Sequence, residues 1–373
     1  MSTVIGWDIG GAHLKGVRVE AGVVTGAIQL PSPLWQGLDT LDAAFAKAVR
    51  SLGSTGRHAA TMTGELADIF ATRSEGVQTL ARVAAQSLHG ENLMIYAGPS
   101  GFVPIGRVRD HIDEIASANW HASARFVAGR LGHGLFVDMG STTTDLVALA
   151  DGEVAARGYT DAERLERGEL VYTGMVRSFL MSISARVPFQ GRSMPLMNEY
   201  FANMADVYRI LGELPPGADQ QATADGREKT VEGSRARLAR MLGLDAAEAS
   251  NEAWTEVARA FREAQLRTLH DAAMLVLSRN LLPREAPIIG AGVGVRIAGA
   301  LAERLERPFV PFSRLLVASS PKLRNLAGDC APAAAVALLA EAKITPRHGG
   351  ARSRPSTRRG SPGRRRRSAE RSS

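Results

Sequence analysis

The chain has 373 residues, enough for two domains of ordinary size, and its 45% hydrophobic and 22% charged residues match a soluble globular protein, which excludes wholesale disorder and a single small module. The net charge of +7 would suggest a polyanionic partner if it were spread along the chain, but Lys343 to Ser373 hold eleven basic residues against one acid, leaving residues 1–342 with 34 basic and 37 acidic, a net −3. The lone cysteine, Cys330, permits no intrachain disulfide and points to a reducing, cytoplasmic setting, and the longest apolar run, Cys330 to Leu339, is too short to span a bilayer, so no membrane partner is expected.

A shift of 130 residues superimposes two glycine-bearing hairpin patterns. Val4-Ile5-Gly6-Trp7-Asp8-Ile9-Gly10-Gly11 falls on Gly134-Leu135-Phe136-Val137-Asp138-Met139-Gly140-Ser141, and Gly22 falls on Gly152. Each copy reads as an apolar strand ending in Asp, a tight glycine turn, a second strand (Leu14 to Val19; Asp145 to Leu149), another turn and a third strand. Between the copies, Leu38, Leu41, Phe45, Val49 and Leu52 recur at helical spacing, and Ala59 to Met62 and Leu93 to Ala97 read as short buried strands. After the second copy, Leu214 to Ser234 is rich in Pro, Gly, Asp, Gln and Lys and reads as an exposed insertion. A long helix is expected from about Trp254 to Leu282, then a strand entering a glycine turn at Pro287-Ile288-Ile289-Gly290-Ala291-Gly292, then a helix with Ile297, Leu301 and Leu305 on its buried face. The apolar segment Pro332 to Leu339 is expected to complete the second domain. The expected organisation is a first domain over 1–130, a second over 131–342 with the insertion near 214–234, and a disordered basic tail over 343–373.

Three turns carry candidate chemistry. In Asp8-Ile9-Gly10-Gly11-Ala12-His13-Leu14-Lys15, a carboxylate ends a strand, Gly10 and Gly11 let backbone N–H groups approach an anion, and Lys15 can hold negative charge; a plain hairpin is the alternative. Asp138-Met139-Gly140-Ser141-Thr142-Thr143-Thr144-Asp145 adds a second carboxylate and hydroxyls that can donate to phosphate oxygens, against a simple Thr-rich turn. Two such loops facing one cleft would hold a metal diphosphate between Asp8 and Asp138. Gly290-Ala291-Gly292-Val293-Gly294 is either a third anion-cradling turn or a site of close strand–helix packing.

Taken in this order, the three turns resemble the actin and sugar-kinase superfamily, an α/β class whose two duplicated domains, each with a ribonuclease H-like motif, close over phosphates. More narrowly, Asp8-Ile9-Gly10-Gly11-Ala12, Thr61-Met62-Thr63-Gly64-Glu65-Leu66-Ala67-Asp68, Gly168-Glu169-Leu170-Val171-Tyr172-Thr173-Gly174 and Met204-Ala205-Asp206-Val207-Tyr208-Arg209 resemble its hydantoinase/oxoprolinase-related branch, and within it the methanofuran-type cofactor synthases. The resemblance runs from about Val4 to Ala340 and departs at His13, where archaeal members are expected to carry Asn.

The resemblance implies a transferase that condenses an aminomethylfuran-methyl diphosphate with the phenol of γ-glutamyl-tyramine or glutamyl-tyrosine. Diphosphate is released, and the product serves pterin-linked one-carbon transfer. The furan ring oxygen stabilises the developing cation, so the main task is to neutralise departing diphosphate, which two acids with Mg and Lys15 could do. The phenol, with a pKa near 10, calls for a base, and Glu65, Asp145 and His13 are candidates. Bland roles stay open beside these: Glu65 as the cap of a helix starting near Leu66, Asp145 as closure of the Thr turn, His13 as a surface loop residue. Glu169 could meet the substrate's aminomethyl cation and Tyr172 its ring, or Glu169 could cap a buried strand. Asp206 and Arg209, one helical turn apart, fit a mutual ion pair. The Arg364 to Arg367 run reads as a solvated tail, without aromatic residues for base stacking, so nucleic acid is not the expected partner. The rival readings are an ATP-dependent kinase, a hydantoinase/oxoprolinase-like amidohydrolase, or a non-enzymatic nucleotide-sensing scaffold. The sequence assigns no oligomeric state.

Overall fold

The computed structural model describes residues 3–88 and 92–344. Its strands are β1 (Thr3–Ile9), β2 (His13–Glu20), β3 (Val23–Pro31), β4 (Arg57–Met62), β5 (Leu93–Ala97), β6 (Gly101–Pro104), β7 (Gly134–Met139), β8 (Thr144–Ala150), β9 (Glu153–Val154), β10 (Leu170–Val171), β11 (Arg186–Phe189), β12 (Arg192–Pro195), β13 (Ile288–Ala291), β14 (Phe309–Pro311) and β15 (Val317–Ala318).

The expected duplication is present residue for residue. β1 pairs antiparallel with β2, bringing Asp8 opposite Lys15, and β7 pairs antiparallel with β8, bringing Asp138 opposite Asp145. The first turns close alike, Gly10 N–H donating to His13 O at 3.0 Å and Gly140 N–H to Thr143 O at 2.9 Å. The second turns, Ala21-Gly22 and Asp151-Gly152, hold both residues at positive φ (49° and 78°; 54° and 78°), the two-residue geometry that matches strand twist. In each half one strand then returns parallel to the first, β4 beside β1 and β13 beside β7, and a further strand follows, β5 beside β4 and β14 beside β13. The result is the duplicated α/β architecture of the actin-like and sugar-kinase class, in a seven-stranded sheet ordered β15-β3-β2-β1-β4-β5-β6 and a six-stranded sheet ordered β10-β8-β7-β13-β14 with β9 on β8.

Period-2 alternation sorts the side chains into three cores. Ile5, Trp7 and Ile9 of β1 pack outward with Phe45 and Leu80 from helices Asp39–Leu52 and Arg73–Ser87. Leu135, Val137 and Met139 of β7 pack on the far side with Trp254, Phe261 and Leu269 of helix Asn251–Leu277 and Ile297 and Leu301 of helix Val295–Arg304. Between the sheets, Val4, Val17 and Val19 share one core with Phe136, Val147 and Ile289, filled by helices Asn119–Leu131 and Ala331–Ile344.

Three expectations change. The closing helix does not complete the second domain: it lies against β1 and β2, because Gly6 leaves no Cβ, and a Cβ there would sit 2.0 Å from Ala333 O and 2.9 Å from Ala337 Cβ. β15 likewise joins the first sheet. The long helix stops at Leu277 rather than Leu282, with Asn280 at φ 56° just beyond. The insertion over 214–234 is partly packed rather than exposed: Ala218 and Ser234 are buried, and its Asp219 and Asp225 are held by Arg209 and Arg237. Residues 345–373, including the Arg364 to Arg367 run and most of the expected tail, lie outside the described residues. Among the described residues no helix is long and apolar enough to cross a membrane.

Candidate active site between the duplicated turns

The alternation that points Ile5, Trp7 and Ile9 outward points Asp8 inward, toward the other sheet, and the same parity turns Asp138 inward from β7. Lys15 and Asp145, their cross-strand partners, share those inner faces. The turns that follow both aspartates stay partly open while the carboxylates are nearly covered, Asp8 4% and Asp138 7% exposed.

Lys15 Nζ lies 3.8 Å from Asp8 Oδ2, while Asp8 Oδ1 is buried with no hydrogen-bond partner. Burial pushes the Asp8 carboxyl above its ordinary range, Lys15 pulls it back and Asp145 raises it again. Asp138 is pushed up to about 7, first by burial and then by the negative field of Asp145, with Lys15 opposing. Burial works against the charge on Lys15, yet Asp8, Cys330, Asp138 and Asp329 hold it above its usual value. Asp329, at the end of helix Pro321–Asp329, is raised to about 6 by burial against the pull of Lys15 and is an acid of this cluster that no sequence motif announced.

Each candidate residue can be placed. Gly10, Gly11, Gly140, Ser141, Thr142 and Thr143 form the two equivalent turns. His13 is buried, not a surface loop residue; its Nε2 has no partner, and burial, then Lys15 and Arg177, lower its pKa to about 4, so the ring is neutral at physiological pH. Asp145 is engaged by Arg164, Nη2 to Oδ1 at 2.8 Å, and Arg164 is itself buried over the Trp120 ring. Gly292 adjoins Asp138: with φ 76°, it leaves room that a Cβ would fill at 2.5 Å from Asp138 Oδ1 and 2.4 Å from Met139 O.

Gly290 is a correction. Parity along β13 aims it at the outer core, where a Cβ would meet the Phe309 ring at 2.7 Å and Ala298 Cβ at 2.9 Å, so its role is strand–helix packing rather than diphosphate binding. Glu169 is a second correction: it is fully buried, accepts from Arg157 N at 2.7 Å and Gly158 N at 2.9 Å, and is paired with Arg279, which leaves it no face toward a substrate. Tyr172, three residues on, is 69% exposed at the end of β10.

Glu65 lies beside the first turn, since Thr63 N and Gly64 N both donate to Ile9 O at 3.0 Å, but no helix starts at Leu66; the next one begins at Arg73, capped by Thr72. Its carboxyl is buried, turned to the Ser117 hydroxyl, which lies 2.8 Å from Glu65 Oε1 and 3.2 Å from Asp161 Oδ2, and burial raises its pKa. Asp206 pairs with Arg209 as the spacing suggested, and also accepts from Ser234 at 2.7 Å and from Arg237 Nε at 2.9 Å.

Mg takes few protein ligands, one or two carboxylates completed by phosphate oxygens and water. The orphaned Asp8 Oδ1 and the inward Asp138 fit that mode. Among the described residues no group of three His, Cys, Asp or Glu side chains gathers into a protein-only metal cage.

Residues 57–320 match the family described as Hydantoinase/oxoprolinase. Over 243 residues the chain is 31% identical to the (4-{4-[2-(gamma-L-glutamylamino)ethyl]phenoxymethyl}furan-2-yl)methanamine synthase of Methanocaldococcus jannaschii, covering 65% of this chain and 72% of that one. It is 35% identical over 111 residues to the synthase of the same name from Methanococcus vannielii, covering 30% of this chain and 50% of the relative. Among solved structures, nucleotide-free acetone carboxylase is similar in fold with a TM-score of 0.50 at 11% identity, over 81% of this chain and 67% of that one.

Proposed function

The chain belongs to the hydantoinase/oxoprolinase family, and from that membership we propose that it is a synthase acting in methanofuran or methylofuran formation. In this reading it transfers an aminomethylfuranyl-methyl group from a diphosphate donor to the phenol of γ-glutamyl-tyramine or glutamyl-tyrosine. The observation that carries the reading is the meeting of two duplicated aspartate turns around one lysine, with a buried carboxylate oxygen on Asp8 left unpartnered.

The bond from the furanyl methylene carbon to the diphosphate oxygen breaks, and its electron pair leaves with diphosphate. A bond from the same carbon to the phenolic oxygen forms, and the phenolic proton passes to a base or to water. Lys15 and the turn N–H groups other than those of Gly10 and Gly140, which close the hairpins, would hold the departing charge. Asp8 and Asp138 would hold Mg, which when bound supplies positive charge against diphosphate.

Of the three candidate bases, His13 has the free nitrogen. Neutral and buried next to Lys15 and Arg177, it accepts a hydrogen bond from the phenol and orients its oxygen. Asp145 is ion-paired with Arg164, whereas Glu65 has Oε1 on Ser117 and Oε2 buried without a partner, which keeps it as the second candidate base.

Incubation of the purified protein with the furan diphosphate, Mg and γ-glutamyl-tyramine or glutamyl-tyrosine, without nucleotide, should yield the ether mass and one diphosphate per ether. Phosphorylated acceptor, or turnover only with ATP, would replace this reading by the kinase or amidohydrolase one.

A further inference from the structure

Arg177 lies in none of the motifs that point to diphosphate. Its backbone N–H donates to Ser141 O at 2.8 Å, which fixes it to the second turn, while its guanidinium crosses to the first half of the chain and stands 4.8 Å over the ring of Trp35. Trp35 is held in turn by the first loop, because the adjacent Leu34 N–H donates to Gly11 O at 2.9 Å. The pair therefore bridges the two duplicated turns, and its charge is felt at His13 and at the Tyr200 hydroxyl.

Arg177 is half-buried, and among the described residues no carboxylate pairs with it. Asp219, the acid whose field also reaches His13, is already shared by Arg209 and Lys229. Exposed aromatic rings neighbour this free cation. Trp35 is 40% exposed whereas Trp7, Trp120 and Trp254 are buried, and Phe179, two residues after Arg177, is itself exposed and sits 4.5 Å from the Tyr200 ring. Tyr200 is anchored by Asn203, whose Nδ2 lies 3.3 Å from its hydroxyl.

A guanidinium fork matches a carboxylate bidentately, and a ring-stacked one offers its edge to that anion. Diphosphate also fits a guanidinium, but it is served by Lys15 and two glycine turns, and it has no use for exposed rings. We propose that Arg177 on Trp35 is the specificity determinant that binds a carboxylate carried by the aromatic acceptor, with the Phe179–Tyr200 pair as the apolar wall beside it. The inference rests on the acceptor named above, a phenol bearing a glutamyl group.

Acrylamide quenching of tryptophan fluorescence tests it, because Trp35 alone of the four tryptophans is open to quencher. γ-Glutamyl-tyramine should protect Trp35 in the wild type, with tyramine binding about 10- to 100-fold more weakly, and Trp35→Phe should remove the signal. Arg177→Ala should shrink the preference for the glutamylated ligand to within about twofold while Mg-dependent binding of inorganic diphosphate stays unchanged. Arg177→Lys, which keeps charge but not the fork, should restore only part of the preference. Loss of diphosphate affinity in Arg177→Ala, or an undiminished preference for the glutamylated ligand, overturns the assignment. So does a wild type that binds neither phenol. Binding that follows the expected pattern in a protein that forms no ether instead overturns the reaction and leaves the carboxylate site standing.

Discussion

Asp138 carries a carboxyl pushed to about 7 by burial and by Asp145, far above its value of 3.8 in an unfolded chain. An acid whose folded pKa is raised destabilises the fold when ionised. That burden is absent below about pH 4, grows as pH rises through the window to 7, and is complete above it. Asp138→Asn removes it, so without divalent cation the variant should be more stable than wild type at pH 8, by as much as about 4 kcal/mol, with the gap closing toward pH 4. Turnover should meanwhile fall on the order of 100-fold, the scale expected for losing one charge-stabilising group. Thermal melts across that pH range check the first part, and equal melting temperatures at every pH would contradict the burial argument. Asp8, Lys15 and Asp138 were legible in the sequence because a repeat marks equivalent positions without any structure. Arg177, Trp35 and Asp329 were not, because each reaches the site from a segment with no motif, and only tertiary packing reveals that they meet.

Among the elements, alternation along the strands decides which residues can act. Position parity places Asp8 and Asp138 on inner faces and Gly290 on an outer one, a distinction available from the sequence once the inner face of each strand is known. The destination of the closing helix was not available, since its apolar residues surround the whole circumference and name no partner sheet. Gly6 names it instead. Gly6→Val should cost about 3 kcal/mol or more in stability by forcing this helix from β1, read by chemical denaturation. A second element-level test lies at the contact that holds the 214–234 segment, where Asp206 before it meets Arg237 after it, itself fully buried, and Arg237 also reaches Asp225 within it. Asp206→Ala leaves that guanidinium short of its main partner and should destabilise the protein by about 3–5 kcal/mol. A loss under 1 kcal/mol would mean that Asp225 alone suffices. Composition marked this segment as exposed because ion pairs formed at long sequence range look, in one dimension, like solvated charge.

At the scale of the whole molecule, two sheets share a middle core of two helices, and the site lies where the inner faces of their first strands end. Among the described residues that core extends to Ala340, and a chain cut after Lys343 should keep its melting temperature and steady-state constants at physiological salt while its net charge changes from +7 to −2. Lost activity, or loss of a salt-sensitive association that activity requires, would make the basic segment a working part of the enzyme. The two aspartate turns together would form one site for diphosphate and a divalent cation. Calorimetric titration of inorganic diphosphate into the wild type, Asp8→Asn and Asp138→Asn, each with and without Mg, tests it most directly. One binding event per chain is expected, requiring Mg and lost in both variants while their folds survive. Undiminished Mg-dependent binding in either variant would contradict it.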